Sequence, residues 1–320
     1  ELPFPGKLRL RGQMAQKEAA AAFQEFRGAE LRVVARLKQA YYQLHFVYKA
    51  ADSLARNKDL LEKFAKIAES RYSVGRGQQQ DVLKAQTEVS ILLARLEQLD
   101  QEKQSLEAEI NSLLNRPRQA PLGRPADYSK AELRVSLGEL YAGAEKKAPL
   151  LKREQAAVER EELALNLARR EYYPDFDVMG GYFNSGRFPD MWEFRLGVKL
   201  PLYFWRKQRA AVQEQSNNLS AARHQYQATE QTLNFAVRDA YAAAQTANRL
   251  VTLYRQGVLP QATLALESSL SSYQVGAVDF LTLITNFRTV LDYEVSYWEQ
   301  VATFQKALAR LEELTGLALT

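Results

Sequence analysis

No glycine or proline interrupts the chain between Gly28 and Gly75, between Gly77 and Pro117, between Pro201 and Gly257, or between Gly276 and Gly316. These are the two residues that end or kink helices, glycine through backbone entropy and proline through its missing N–H. Uninterrupted stretches of this length predict very long helices. The first outgoing segment runs from about Leu8 to Val74. At about 1.5 Å per residue it reaches about 100 Å, several times the span of an ordinary globular helix. A second one, about Arg206 to Val275, is nearly as long, with a kink expected at Gly257 and Pro260. An apolar content of 46% is enough for a folded chain. No stretch approaches the roughly 18 consecutive apolar residues of a spanning helix, and no signal peptide opens the sequence. That leaves a cytosolic protein or one whose beginning lies upstream.

The return segments decide how such helices pack. Val82, Ala85, Val89, Leu92, Leu96, Leu99, Lys103, Leu106, Ile110 and Leu113 follow at spacings of 3 and 4 in strict alternation, a heptad seam. Adding 198 to each number gives Phe280, Leu283, Phe287, Val290, Glu294, Tyr297, Val301, Phe304, Leu308 and Leu311, with only Glu294 charged. A straight helix lets a seven-residue stripe drift by about 20° per heptad, so a stripe this long stays on its partner only if the helices coil. A looser outgoing seam is expected through Leu37, Tyr41, Leu44, Tyr48 and Ala51, then Leu61, Ala65, Ala68 and Tyr72. Each half then reads as an antiparallel coiled-coil hairpin.

The reversal points carry the same phrase twice, RYSVG at 71–75 and SYQVG at 272–276. Gly75 and Gly276 sit where each helix must turn, and glycine takes the left-handed conformation at a helix end without steric cost. Asp81 and Asp279 are expected to open the return helices, where a carboxylate meets the exposed amides of the first turn. Capping alone, or capping together with a functional role, both fit these residues.

Between the halves the texture changes. Pro117, Pro121, Gly123 and Pro125 make a linker, followed by two shorter helices expected at about Lys130–Lys147 and Leu150–Arg170. The period then becomes two. Trp192, Phe194, Leu196, Val198 and Leu200 alternate with Glu193, Arg195, Gly197 and Lys199. Asp175 to Asn184 alternates more weakly, with Phe176, Val178, Gly180 and Tyr182 on one side, and NSGRFPD turns between the two runs. Each run has about the ten residues that a tilted strand needs to cross a bilayer. Tyr172, Tyr173, Tyr203, Phe204 and Trp205 cluster at the open end, where an interfacial aromatic girdle lies. A soluble sheet with one face on a core has the same alternation. Domain limits on this reading are a first helical hairpin at 1–116, a linker with equatorial helices at 117–171, a β-hairpin at 172–205 and a second helical hairpin at 206–320.

Several function classes are disfavoured. The net charge of +5, spread over interspersed basic and acidic residues, lacks the concentrated basic face that nucleic acid requires. With no cysteine there is no disulfide framework, thiolate metal site or cysteine nucleophile. His45 and His224 stand alone among helical residues and read as surface or seam histidines rather than ligands. No phosphate loop, nucleophile elbow or paired-carboxylate constellation is present, so neither an enzyme nor a cofactor is expected.

The phrases RYSVG with DVLKAQTEV and SLLNRP, APLLKREQAAVE, YYPDFDVMGGY, KLPLYFWRKQ, and SYQVGAVDFL with LARLEELTG, in this order and over nearly the whole chain, resemble the outer membrane efflux protein family, the TolC-like exit channels of tripartite pumps. ELPFPGKLRLR is similar to KLPLYFWRKQR, as if the chain began just after a first strand hairpin; family members carry that hairpin, early helices and a signal sequence upstream, often with a lipidated cysteine. YYPDF and FPDMW resemble the exit ducts of heavy-metal cation pumps of the resistance-nodulation-division type, while drug pumps and type I secretion systems use the same fold, so metal cations, drugs and proteins all stay open as cargo.

The resemblance implies a mainly α fold, two long helical hairpins plus a β-hairpin that contributes to a trimeric barrel. Its implied place is the outer membrane with a large periplasmic portion, and its implied partners are two further copies of itself, a periplasmic adaptor, an inner-membrane pump and outer-membrane lipid. Trp192, Phe194, Leu196 and Val198 then face lipid, while Glu193, Arg195 and Lys199 face the bore. Asp279 and Thr282 line a constriction, Asp81 and Tyr273 latch the closed tip, and Val74, Gly75, Val82, Leu83, Val275, Gly276, Phe280 and Leu281 form adaptor-docking tips. Thr282 stands where some relatives have a second aspartate, and Val278 where they have an arginine, which implies a less acidic aperture. A soluble coiled-coil scaffold is the alternative; it shares the heptads but has no use for aromatic-ringed strands.

Overall fold

The computed structural model describes residues 1–127, 135–184, 186–187 and 189–319. Along the described chain run α1 (Lys7–Ser73), α2 (Gln79–Leu113), α3 (Leu137–Lys147), α4 (Pro149–Arg170), β1 (Asp175–Phe183), β2 (Met191–Lys199), α5 (Lys207–Leu253), α6 (Leu259–Val275) and α7 (Phe280–Thr315). The molecule is mainly helical with one two-stranded antiparallel sheet, and the breaker-free stretches are the long helices.

Two boundaries repay comparison with expectation. The kink at Gly257 and Pro260 is a π-helical turn, Tyr254–Val258, with Pro260 in the first turn of α6. The wider turn absorbs the missing N–H and the ring's crowding without ending the helix. The helix expected from Lys130 starts at Leu137, its residues 130–134 lying outside those described. Its start is a capping box: Glu139 accepts from the Ser136 amide at 2.7 Å, and the Ser136 hydroxyl accepts from the Glu139 amide at 3.3 Å. Of the expected NSGRFPD turn, residues 185 and 188 lie outside the description.

The chain divides into two compact units, each taking one segment from each half: Glu1–Glu30 with Tyr141–Ala236, and Leu31–Leu140 with Val237–Thr320. In the first unit α4 ties the beginning of α1 to α5, through Lys17–Glu159 at 2.5 Å and Arg223–Glu162 at 2.7 Å, over small buried residues Ala156, Ala164 and Ala168.

In the second unit the two helical hairpins share a core of Leu54, Leu61, Phe64 and Ala68 from α1, Ala85 and Leu92 from α2, Leu266 and Tyr273 from α6, and Phe280, Leu283, Ile284, Phe287, Val290 and Leu291 from α7. All ten positions of each return seam are buried or half-buried. Its two charged members are accommodated: Glu294 accepts from Asn57 Nδ2 at 3.2 Å, and Lys103 pairs with Asp100 at 3.5 Å beside the Tyr48 ring. The outgoing seam is rotated from the expected one. Leu44, Leu61 and Ala68 are buried, but the line runs on through Ala40, Val47, Ala50, Leu54 and Phe64, Tyr41, Tyr48, Ala51 and Ala65 flank it, and Tyr72 is exposed. The reason is that α1 packs on two helices at once, bonding α2 through Arg36–Glu109 and Gln43–Glu102 and α7 through Lys38–Glu312, so it buries a stripe wider than a two-helix seam.

Candidate functional site

The strand alternation becomes a two-sided ribbon only if the register aligns the faces, and it does. Phe176 lies opposite Val198, Val178 opposite Leu196, Gly180 opposite Phe194 and Tyr182 opposite Trp192, while Asp175, Asp177, Met179 and Gly181 oppose Lys199, Gly197, Arg195 and Glu193. One face is therefore apolar along both strands. It is also bare: Trp192, Phe194, Leu196 and Val198 are all exposed, Trp192 at 82%. On the opposite face Arg195 pairs with Glu193 at 2.6 Å. The five aromatic residues of the expected girdle are exposed as well, with Trp205 edge-on to Phe204 at 5.0 Å.

The base of this ribbon is held by a residue that sequence reading passes over. Lys7, only 1% exposed, donates to Asp175 at 2.8 Å, to the Tyr173 carbonyl at 3.1 Å and to Glu171 at 3.4 Å. Nearby, Phe4 stacks on Tyr173 at 4.6 Å and the Phe4 amide donates to Asp175 at 2.7 Å. Leu2 exchanges both backbone hydrogen bonds with Phe176, so the segment leading into α1 pairs with the free edge of β1. The available signal was the likeness of ELPFPGK to the KLPLYFW that leaves β2.

The tips lie in the other unit. Both phrases close in the same way, with the glycine amide bonded three residues back and the next amide five back: Gly75 to Tyr72 and Arg76 to Arg71, Gly276 to Tyr273 and Ala277 to Ser272. Gly75 and Gly276 have φ of 72° and 81°, the left-handed geometry of this closure. Their carboxylates diverge. Asp279 is the N-cap of α7, accepting from the Thr282 amide at 2.8 Å; the Thr282 side chain first, and this amide second, lower its pKa below the ordinary aspartate value. Asp81 sits inside the first turn of α2 instead, where Gln78 is the N-cap and its side chain accepts from the Gln80 side chain without capping the helix. The expectation that both aspartates cap is corrected to one, because α2 begins at Gln79, as far beyond its tip glycine as α7 begins beyond Gly276, and Asp81 comes later, inside the helix.

The latch pair meets only loosely within one chain. Tyr273 is buried, its hydroxyl has no hydrogen-bond partner among the described residues, and burial first, with the Asp81 carboxylate second, pushes its pKa up. Of the docking residues, Val74, Leu83, Val275 and Leu281 are exposed and Val82 is half-buried. Phe280 is 1% exposed, packed under Tyr273 at 5.4 Å, so it props the tip from within and does not present itself to a partner.

His224 is exposed, whereas His45 is buried, 3.4 Å from Asp127, which also pairs with Lys49 at 2.6 Å. Burial is the main reason that His45 has a lowered pKa. Among the described residues no three of His, Cys, Asp or Glu gather as a metal-ligand set, and no helix is long and apolar enough to cross a membrane.

Solved structures share this architecture. The outer-membrane channel OprN superposes with a TM-score of 0.87 at 19% identity, over 98% of this chain and 72% of that one. VceC from Vibrio cholerae gives 0.86 at 19%, over 98% and 77%. The open-state MtrE channel of Neisseria gonorrhoeae gives 0.81 at 18%, over 98% and 72%. No curated protein matches by sequence. The family described as "Outer membrane efflux protein" matches residues 1–116 and 140–317. With nearly the whole length accounted for, the chain belongs to the outer membrane efflux protein family.

Proposed function

We propose that this chain is the exit conduit of a tripartite efflux pump, closing as a homotrimer whose β-hairpins share one barrel in the outer membrane and whose helical hairpins line a periplasmic tube. The single observation that carries it is the ribbon β1–β2, apolar and bare on one face and polar on the other. Water penalises such a face and strand edges that are paired, among the described residues, only where Leu2 meets Phe176. A bilayer around a closed barrel accommodates both. A soluble coiled-coil scaffold offers no cover for this ribbon.

In this assignment the conduit does no chemistry, and energy comes from an inner-membrane pump reached directly or through a periplasmic adaptor. The exposed tip residues Val74, Leu83, Val275 and Leu281, with Gly75 and Gly276, form the docking face, and Asp279 with Thr282 rings the narrowest point. Three carboxylates around a narrow bore favour cations. The cargo we assign is a metal cation, in line with the YYPDF and FPDMW phrases.

The test is reconstitution into planar bilayers, with native mass spectrometry for the trimer. Discrete conductance steps with cation preference are expected, the preference falling in Asp279→Ala and insertion lost in Leu196→Asp. A protein that stays monomeric, dissolves without detergent and never conducts overturns the proposal. Complementation of an efflux-deficient strain separates cargoes: restored drug tolerance without metal tolerance rules out the cation assignment.

A further inference from the structure

Arg71, in the last turn of α1, has no arginine counterpart in the second tip, where the matching position is Ser272. Its guanidinium crosses from one tip to the other. Nη1 donates to the Tyr273 carbonyl and, at 3.4 Å, to that of Gln274, while Nη2 donates to the Arg76 carbonyl at 3.3 Å. The guanidinium carbon also stands 4.7 Å from the centre of the Tyr273 ring. The two acceptors from α6 lie in its last turn, where incompletely paired carbonyls and the negative end of the helix dipole favour a cation. One planar group thus closes the end of α6 and braces the α1–α2 turn. A Cβ on Gly276 would come within 3.3 Å of Nη2, so the glycine also makes room for the crossing.

The other polar links between the two hairpins lie farther from the turns, where Arg288 forks onto Glu88, its Nε donating at 2.7 Å, and Arg95 pairs with Asp292 at 3.0 Å. Tyr273 is held through its ring and its carbonyl, since its hydroxyl has no partner among the described residues. Between those pairs and the turns the packing is apolar, among Ala68, Ala85, Leu266 and Phe280, with Val82 and Val278 at the margin. Apolar contacts are non-directional and let helices slide. A forked, stacked arginine does not.

We propose that Arg71 fastens the two tips of one subunit into a single body, so that opening of the conduit moves both tips together instead of sliding one hairpin along the other. The geometry stands by itself; its consequence for opening rests on the channel assignment above. Arg71 is a positioning residue that sets which parts move.

The cysteine-free chain allows clean labelling at Ser73→Cys, at the exposed end of α1, and at Ala277→Cys, in the exposed second turn. Pulsed electron resonance on spin labels there should give one narrow distance in the parent protein. Arg71→Ala should broaden it with helicity by circular dichroism unchanged, and Arg71→Lys should fail to restore it, because an ammonium cannot bond two carbonyls and cover a ring together. A distribution as narrow in Arg71→Ala as in the parent overturns the proposal. In a bilayer, linking the two cysteines of a subunit with a short bismaleimide should leave opening intact, and loss of opening on linking overturns it. If the unmodified protein never conducts, the channel assignment fails while the spin-label distances still judge the fastening.

Discussion

The two arms of the molecule are written in one frame and folded to different depths. Phe304 on α7 and Leu106 on α2 hold the same place in the repeat, yet Phe304 is in the core and Leu106 is half-buried. The tyrosines of the two tip phrases differ even more: Tyr72 is 47% exposed and Tyr273 3%. The cause is position in the bundle. α7 is surrounded by α1, α2 and α6, whereas α2 meets its neighbours along a single row and leaves Leu83, Ile91 and Leu93 in water. A repeated sequence thus specifies a repeated local structure, down to identical hydrogen bonds at the glycine turns, without specifying repeated burial. The arm with a bare row has surface left for a neighbour, which is what a tube built from several copies requires.

Truncation tests this difference where it is largest. Phe304→Ala should cost about 3–5 kcal/mol, the usual price of emptying a core aromatic site. Leu106→Ala should cost about 1–2 kcal/mol, since part of its surface is already wet. Urea unfolding at one protein concentration measures both, and equal losses would erase the asymmetry of the arms. An additional loss for Leu106→Ala that grows on dilution would instead mean that another copy covers α2.

The turns offer a finer contrast. Gly75→Ala and Gly276→Ala should each cost roughly 1–2 kcal/mol from the left-handed backbone alone. Gly276→Ala should exceed Gly75→Ala, because nothing lies within 4 Å of a Cβ at Gly75 whereas Arg71 crowds one at Gly276. The excess should vanish when Arg71→Ala is combined with it, a coupling that a double-mutant cycle reads directly. An excess that survives would mean that the turns differ for some other reason.

The smallest effect concerns acid. The first arm alone is crossed by a proline-rich strap, in which Asn111 donates to the Ala120 carbonyl at 2.9 Å and Asp127 reaches Lys49 and His45. His45 also faces Arg124 and the Trp298 ring, 6.1 Å away. With its folded pKa below 6.5, the unfolded chain binds more protons in the window just under that value. Stability from this site is therefore complete above the ordinary histidine pKa and falls away as the pH drops through the folded one. Unfolding midpoints measured across that window should decline, and His45→Gln should flatten the decline; an equal slope in the variant would remove His45 as its source.

Much of the fold was legible because its grammar is local. Breaker-free stretches, a 3–4 alternation and period-two strands each report a backbone state that nearby residues dictate, and the helix ends fell within a residue or two of expectation at the glycine turns, whereas the capping box that starts α3 at Leu137 was passed over. Asp279 was readable as a cap for the same reason. Asp81 was not, since it lies three residues farther from its tip glycine than Asp279 does and α2 has already begun at Gln79, which leaves the carboxylate inside the first turn. The apolar ribbon face could be read from alternation, but its continuity across two strands needed the register. Arg71 escaped notice because a basic residue in a helix's last turn looks like ordinary dipole compensation, Lys7 because a lone lysine at a helix start looks like surface, and the partners that bury or cross them lie more than 160 residues away.

By itself, then, the sequence determined where the long helices, strands and glycine turns fall, that the two halves repeat, and which side of the return helices and of the strands is apolar, since these follow from local sterics and hydrophobic period. Only the tertiary structure decided which arm lies deeper, that α1 serves two partners at once, and that one arginine joins the two tips. Burial and long-range hydrogen bonds depend on what a helix is packed against, and no residue records its neighbours across a bundle.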